Sequence, residues 1–197
     1  MIVGYHIIFG VYGFWLPNDP RGSWSDFVGS WELIRYGRAT TTSERCSLAY
    51  REHDRSWRLA AKQALKRPAV QLTGIQARAV ARGFANYVER SGLVVWACAI
   101  LPDHVHVVIG RPGMTVEQLS IQLKGTATEQ LTAEGIHPFG DMKDKYSRPP
   151  KCFARGEWKV YLDPPDVPRA IRYVEGNPEK EGKRRQRWPF VIPYEIG

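Results

Sequence analysis

Two histidines set one residue apart, His104 and His106, stand in the apolar stretch Leu101-Pro102-Asp103-His104-Val105-His106-Val107-Val108-Ile109. In a strand, side chains alternate faces, so His104, His106 and Val108 point one way and Val105, Val107 and Ile109 the other. Two imidazoles then converge, and neutral imidazole is the commonest protein ligand for a metal, so the pair can fill two adjacent coordination positions. The plainer alternative is a pair of sheet histidines satisfied by hydrogen bonds. A second group lies near the other end of the chain. At 100° per residue, Val167, Ile171 and Val174 form the core stripe of a helix, which leaves Tyr173 and Asn177 side by side on its flank. Pro178 disfavours helix at Asn177, placing the amide at the helix end, and Gly176 loosens the last turn. A phenol beside an amide can act as a nucleophile next to a ligand.

The rest of the composition narrows what such groups would act on. The 197 residues carry 28 Lys and Arg against 20 Asp and Glu, a net charge of +8, which favours a polyanionic partner. Cys46, Cys98 and Cys152 are odd in number and far apart, so neither a disulfide framework nor a zinc ribbon is expected, and a reducing cytoplasm suits them. The start, Met1-Ile2-Val3-Gly4-Tyr5-His6, lacks the charged and apolar regions of a signal peptide, and no apolar run is long enough to cross a bilayer. The expectation is a soluble, intracellular protein with no membrane partner.

The elements that must position the candidate residues can be read in chain order. Residues 2–12 are rich in β-branched and aromatic types and predict a buried first strand. The run from Tyr12 to Trp24, dense in Pro, Asn, Asp and Gly, predicts a structured loop. In it Arg21 could reach a phosphate, and Trp15 and Trp24 could stack on bases or merely cover the sheet edge. Residues 26–68 form an insertion of weak pattern, with a polar Thr40–Glu44 segment and a helix over Ser56–Lys66. Thr73 and Gln76 spell a capping box, Gly92 can end that helix, and Val80, Phe84, Tyr87 and Val88 make its core stripe. Leu93–Leu101 is continuously apolar and predicts a central strand, which Pro102-Asp103 turns back into the histidine strand as a hairpin.

A second capping box, Thr115 with Gln118, opens a helix to about Ala133 with Val116, Leu119, Leu123 and Ala127 inward. Lys124, Thr126 and Thr128 on its other side are candidate phosphate contacts or ordinary solvated residues. Residues 135–150 predict a mobile loop, Phe153–Leu162 a fourth strand interrupted by Gly156, and Asp166 with Pro168 the N-cap and first turn of the last helix. Lys180, Lys183, Arg184, Arg185 and Arg187, followed by Trp188, form a basic tail over 179–197 that could hold single-stranded DNA by charge and stacking, or simply fray. The order β, insertion, α, β, β, α, β, α predicts one α+β domain over 1–197. Its class is ferredoxin-like (split βαβ), an antiparallel sheet with helices on one face, plus the insertion after the first strand and a C-terminal tyrosine-bearing helix.

These motifs together resemble one family. His104-Val105-His106 within its strand is similar to the histidine-hydrophobe-histidine motif of the IS200-like single-tyrosine transposases. Arg172-Tyr173-Val174-Glu175-Gly176-Asn177-Pro178 resembles the tyrosine helix of their REP-associated relatives, and Ala154-Arg155-Gly156-Glu157-Trp158 the strand before it. The loop Tyr12–Gly22 is similar to one found in a branch of those relatives. The matches run in family order from the first strand to Pro178.

The resemblance implies a ferredoxin-like core, a divalent metal, Mg2+ or Mn2+, and cleavage of single-stranded DNA, often near a small hairpin. It makes His104, His106 and Asn177 the metal ligands, with Asn177 where insertion-sequence members often carry Gln, and Tyr173 the nucleophile. Arg21, Lys124, Arg155, Lys183, Arg184 and Arg185 become candidate DNA contacts. The long 26–68 segment departs from the compact members, so a homodimer and the DNA geometry stay open. The reaction implied is phosphoryl transfer through a 5′-phosphotyrosine, in a bacterial cytoplasmic protein associated with the nucleoid when acting. A former transposase kept as a non-cleaving DNA-binding protein is the alternative. A metal hydrolase on a barrel is disfavoured, because that fold takes ~250 residues of repeated βα units.

Overall fold

The first strand, β1 (Gly4–Gly10), lies inside the sheet, which explains why six of its seven residues are buried. The computed structural model describes residues 1–14, 16, 31–37 and 54–195. β1 pairs antiparallel with β3 (His104–Gly110) on one side and β4 (Trp158–Leu162) on the other, and β2 (Val95–Ile100) pairs with β3. The resulting order, β2-β3-β1-β4, is the ferredoxin-like arrangement expected from the element order. Trp15, residues 17–30 with Arg21 and Trp24, and residues 38–53 with Thr40–Glu44 and Cys46, lie outside the described residues.

Helices cover the two faces unequally. α2 (Gly74–Ser91) and α3 (Val116–Ala133) both begin with the expected capping box, and α2 ends at Gly92 in the left-handed conformation. Val80, Phe84 and Tyr87 of α2 and Val116, Leu119, Leu123 and Ala127 of α3 are buried against Ile7, Phe9, Val105, Val107 and Ile109, the main core. α2 and α3 cross so closely that a Cβ on Gly83 would lie 2.6 Å from the Thr126 carbonyl oxygen. α4 (Val167–Lys180) takes the opposite face, where Val167, Ala170 and Val174 pack on Ala97, Ala99, Val108 and Leu162.

Several expectations need correction. β2 is an edge strand rather than a central one, and the end of the chain covers its free edge. The Gln186 amide donates to the Ile100 carbonyl and accepts from the Ile100 N–H, both at 2.7 Å, and the Ile192 N–H donates to Val95 at 2.9 Å. The side-chain amide thus stands in for a neighbouring strand, one way of protecting an exposed ladder. Within the same segment Phe190 is buried edge-on against Phe84, and Trp188 packs on the core beside it. The tail is therefore docked rather than frayed, and Trp188 is not set out for stacking.

The fourth strand is shorter than expected. Phe153 makes only an isolated bridge to Val11, and Gly156, at φ +72°, separates it from β4. Asp166 occupies the N-cap position of α4 as expected, but its side chain makes no capping hydrogen bond; it closes a 3-10 turn, Pro164–Asp166, and its carboxylate accepts from Arg169 at 2.8 Å. Pro168 does fall in the first turn. Pro178 does not stop the helix, which continues to Lys180, so Asn177 lies inside α4. Residues 135–150 lack regular structure but not packing, since Phe139 joins the main core and Asp144 accepts from the N–H groups of Tyr146 and Arg148.

The insertion contributes a 3-10 turn, Trp31–Tyr36, and α1 (Arg55–Gln63), capped by Asp54. Leu33, Tyr36 and Ala61 enclose Leu16 in a small separate core. Cys98 and Cys152 are free and buried, which pushes both thiols up, Cys152 to about 11. Among the described residues no helix is long and apolar enough to cross a membrane.

Two substitutions test this packing. Gly83→Ala should force α2 from α3 and cost about 1–3 kcal/mol by overpacking, and Phe190→Ala should cost about 3 kcal/mol through the cavity it leaves. Urea unfolding midpoints read both, and an unchanged Phe190→Ala midpoint would mean the tail is not docked.

Candidate active site

The register of β1 on β3 builds the site. Gly10 lies opposite His104, Ile8 opposite His106 and His6 opposite Val108, so His6, His104 and His106 share the face that α4 covers. The two motif histidines converge as expected, with Nε2 atoms 2.9 Å apart. The third histidine was not foreseen. His6 Nε2 lies 3.0 Å from His106 Nδ1, and both rings are buried. His104 Nδ1–H donates to the Asp103 carboxylate at 2.6 Å. Phe14 stacks flat on His104 at 4.8 Å, in a position that a Cβ on Gly10 would obstruct.

Burial sets the charge of this cluster. It lowers His6 to about 4 and holds His106 well below the ordinary imidazole range, where the positive potential of His104, His6 and Lys180 adds to the effect. Both rings are therefore neutral near pH 7, the state a metal ligand needs.

α4 supplies the remaining groups. The Tyr173 ring stands edge-on to His106 at 5.7 Å and to His6 at 5.8 Å, with 44% of the residue exposed. The Lys180 ammonium sits 4.3 Å from the centre of the Tyr173 ring, close enough for a cation–π contact. Asn177, one turn after Tyr173, is buried, and its Nδ2 has no hydrogen-bond partner among the described residues. Glu181, just past the helix, offers a carboxylate to a further group: one donor atom each from Asp103, His104 and Glu181 lie within 4.8 Å of one another.

A divalent ion fits between the two converging imidazoles. An octahedral ion with bonds of ~2.1 Å holds adjacent donors ~3 Å apart, which matches the 2.9 Å between the two Nε2 atoms. The orphaned Nδ2 of Asn177 is a donor and calls for an acceptor, whereas the amide would meet a cation through Oδ1. Imidazole nitrogen suits a borderline ion, and carboxylate oxygens such as those of Asp103 and Glu181 suit Mg2+ or Mn2+.

The candidate DNA contacts divide. Lys124 is drawn inward: its Nζ donates to the Gly156 carbonyl at 2.7 Å, lies 3.6 Å from Glu157 and sits above Phe9, with 12% of the side chain exposed. Desolvation lowers its affinity for a proton, opposed by Glu157. The Thr126 and Thr128 hydroxyls bond to carbonyls of their own helix. Arg155 and Arg184 are exposed, while Lys183 and Arg185 pair with Glu181 and Glu179. Arg21 lies outside the described residues.

No family model matches the chain, and no curated protein does. Among solved structures it is similar to a REP-associated tyrosine transposase bound to a REP hairpin, at 12% identity and a TM-score of 0.48, covering 95% of this chain and 74% of that one. It is also similar to a protein of Deinococcus radiodurans R1 described as a transposase, at 12% identity and a TM-score of 0.37, covering 94% of each chain.

Sequence reasoning missed His6, Phe14, the position of Lys180 over the tyrosine, and Glu181. A period-two reading put His6 on a strand, but only the pairing register shows which histidine it meets. Asp103→Asn removes the charged acceptor at His104, and outer-shell changes of this kind cost ~10–100-fold in metal affinity. Calorimetric titration with Mn2+ should show a loss of that order, and unchanged affinity would separate Asp103 from the metal.

Proposed function

We propose that the protein is a metal-dependent tyrosine nuclease and strand transferase acting on single-stranded DNA, in the manner of the IS200-like and REP-associated transposases its motifs resemble. The observation that carries this reading is the placement of Tyr173 edge-on against His106, whose Nε2 faces that of His104. A phenol hydroxyl and a converging histidine pair on one partly open face suit phosphoryl transfer by covalent catalysis. Under this proposal His104, His106 and Asn177 hold the ion, with Asp103 and Glu181 at its margin. When bound, Mg2+ or Mn2+ supplies positive charge to the scissile phosphate.

The protein's own groups carry the remaining steps. Tyr173 Oη attacks phosphorus, an O–P bond forms, and the bond to the 3′ oxygen breaks. The DNA keeps a 5′-phosphotyrosine and a free 3′-hydroxyl, and the covalent link conserves the energy needed for rejoining. The phenol, with an ordinary pKa near ~10, must shed its proton during attack. Lys180 over the ring favours the developing phenolate and also faces an incoming phosphate. Exposed Arg155 and Arg184 extend the positive surface along which a strand would lie. Tyr173 meets histidines of its own chain, which supports assembly of the site within one subunit. A single strand beside a hairpin is the proposed substrate, and a bacterial cytoplasm the proposed setting.

A retained but non-cleaving DNA-binding protein would have no use for this placement of Tyr173. With an oligonucleotide and Mn2+, the wild-type protein should form a covalent adduct that survives denaturing electrophoresis. Tyr173→Phe should remove the adduct and leave DNA affinity unchanged. An adduct of undiminished yield would reject Tyr173 as nucleophile, and a wild type without nicking in Mn2+ would favour the binding-only protein.

A further inference from the structure

We infer that His6 is a positioning residue for His106: its hydrogen bond decides which ring nitrogen of His106 carries the proton, and so whether the nitrogen beside His104 can bind a cation. The inference rests on reading His104 and His106 as metal ligands.

Backbone pairing fixes the contact. His6 is opposite Val108, so it is the diagonal neighbour of His106 across the β1–β3 ladder, near enough for side chains of this size to meet. The 3.0 Å separation between His6 Nε2 and His106 Nδ1 leaves room for one proton. Two arrangements satisfy it. In the first, His106 donates Nδ1–H to His6, and its Nε2 keeps a lone pair directed toward His104. In the second, His6 donates from Nε2, and the single proton of neutral His106 sits on Nε2, where it blocks ligation.

Only the first arrangement suits a metal. His6 can adopt either role because a neutral imidazole accepts through Nε2 when its own proton is on Nδ1. Asp103 does the corresponding work for His104, accepting Nδ1–H and leaving Nε2 open. Each candidate ligand thus has its own orienting partner, a carboxylate for one and an imidazole for the other. His6 is buried and its Nε2 is occupied by His106, which sets it behind the ligands rather than among them.

Two variants separate this role from packing. His6→Phe keeps a ring in the space but offers no acceptor, and Mn2+ affinity by calorimetry should fall ~10–100-fold. His6→Gln loses the ring but keeps an acceptor oxygen, and should bind more tightly than His6→Phe. A packing role predicts the reverse ranking, so His6→Phe binding as well as the wild type would overturn the inference. A measurement on the wild type does not depend on either variant folding. Long-range 1H–15N correlation spectra with saturating Mg2+ should show His106 protonated on Nδ1, and protonation on Nε2 would overturn the inference outright. His104→Ala is the control. If it leaves Mn2+ affinity intact, the metal reading itself fails; if it abolishes binding while His6→Phe does not weaken it, only the role of His6 fails.

Discussion

The antiparallel register between β1 and β3 is the constraint on which the site depends. With Ile8 opposite His106 and Gly10 opposite His104, both motif histidines and His6 fall on one face. Side chains alternate with a period of two, so a slip of one residue would send one strand's histidines into the core beneath α2 and α3. The register is well defended. Ile7, Phe9, Val105, Val107 and Ile109 are all buried on the other face, and a slip would have to expose them. The polar cluster is thus located by apolar side chains that never touch it.

The two faces of the sheet divide the work accordingly. The α2/α3 face is a continuous apolar core, closed by two helices whose crossing leaves no room for a side chain at Gly83. The α4 face has a small apolar patch, with Ala97, Ala99, Val108 and Leu162 under Val167, Ala170 and Val174, and the histidines adjoin it, His6 opposite Val108 and His106 opposite Ala99. Val167, Ala170 and Val174 anchor the helix, which also carries Tyr173, Asn177 and Lys180. The tail that follows α4 returns to β2, where Gln186 and Ile192 complete the open edge. Burial of Phe190 next to Phe84 fixes that return from the opposite side of the sheet.

Whatever was local in cause was legible in the sequence. The capping boxes at Thr73 and Thr115, the stripes of α2 and α3, and the alternation around His104 and His106 each depend on residues within one or two turns of one another. What was not legible depends on partners far apart in the chain. His6 acquires its meaning from a residue a hundred positions away. The continuous apolar run at β2 signals burial on both faces, which is true, but it cannot show that the neighbour on one side is a tail rather than a strand. Pro178 misled for a related reason. A proline so near the C-terminus of a helix removes little of its hydrogen bonding, and burial of Asn177 and Pro178 outweighs the local preference.

Exposure along α4 makes the same point about function. Val174 and Asn177 face inward while Tyr173, the residue just before Val174, stands at the rim. A side chain there can meet a polyanion arriving from solvent without any opening of the core. His6 and His106 below it are neutral because they are buried, so they add lone pairs rather than charge. Positive charge instead sits outside, on Lys180 against the tyrosine ring. Neutral donors within and a cation without is an order that lets a divalent ion and a phosphate approach from the same side. Only the helix joins the two layers, so small changes in its seating on Val108 and Leu162 should reach the tyrosine directly.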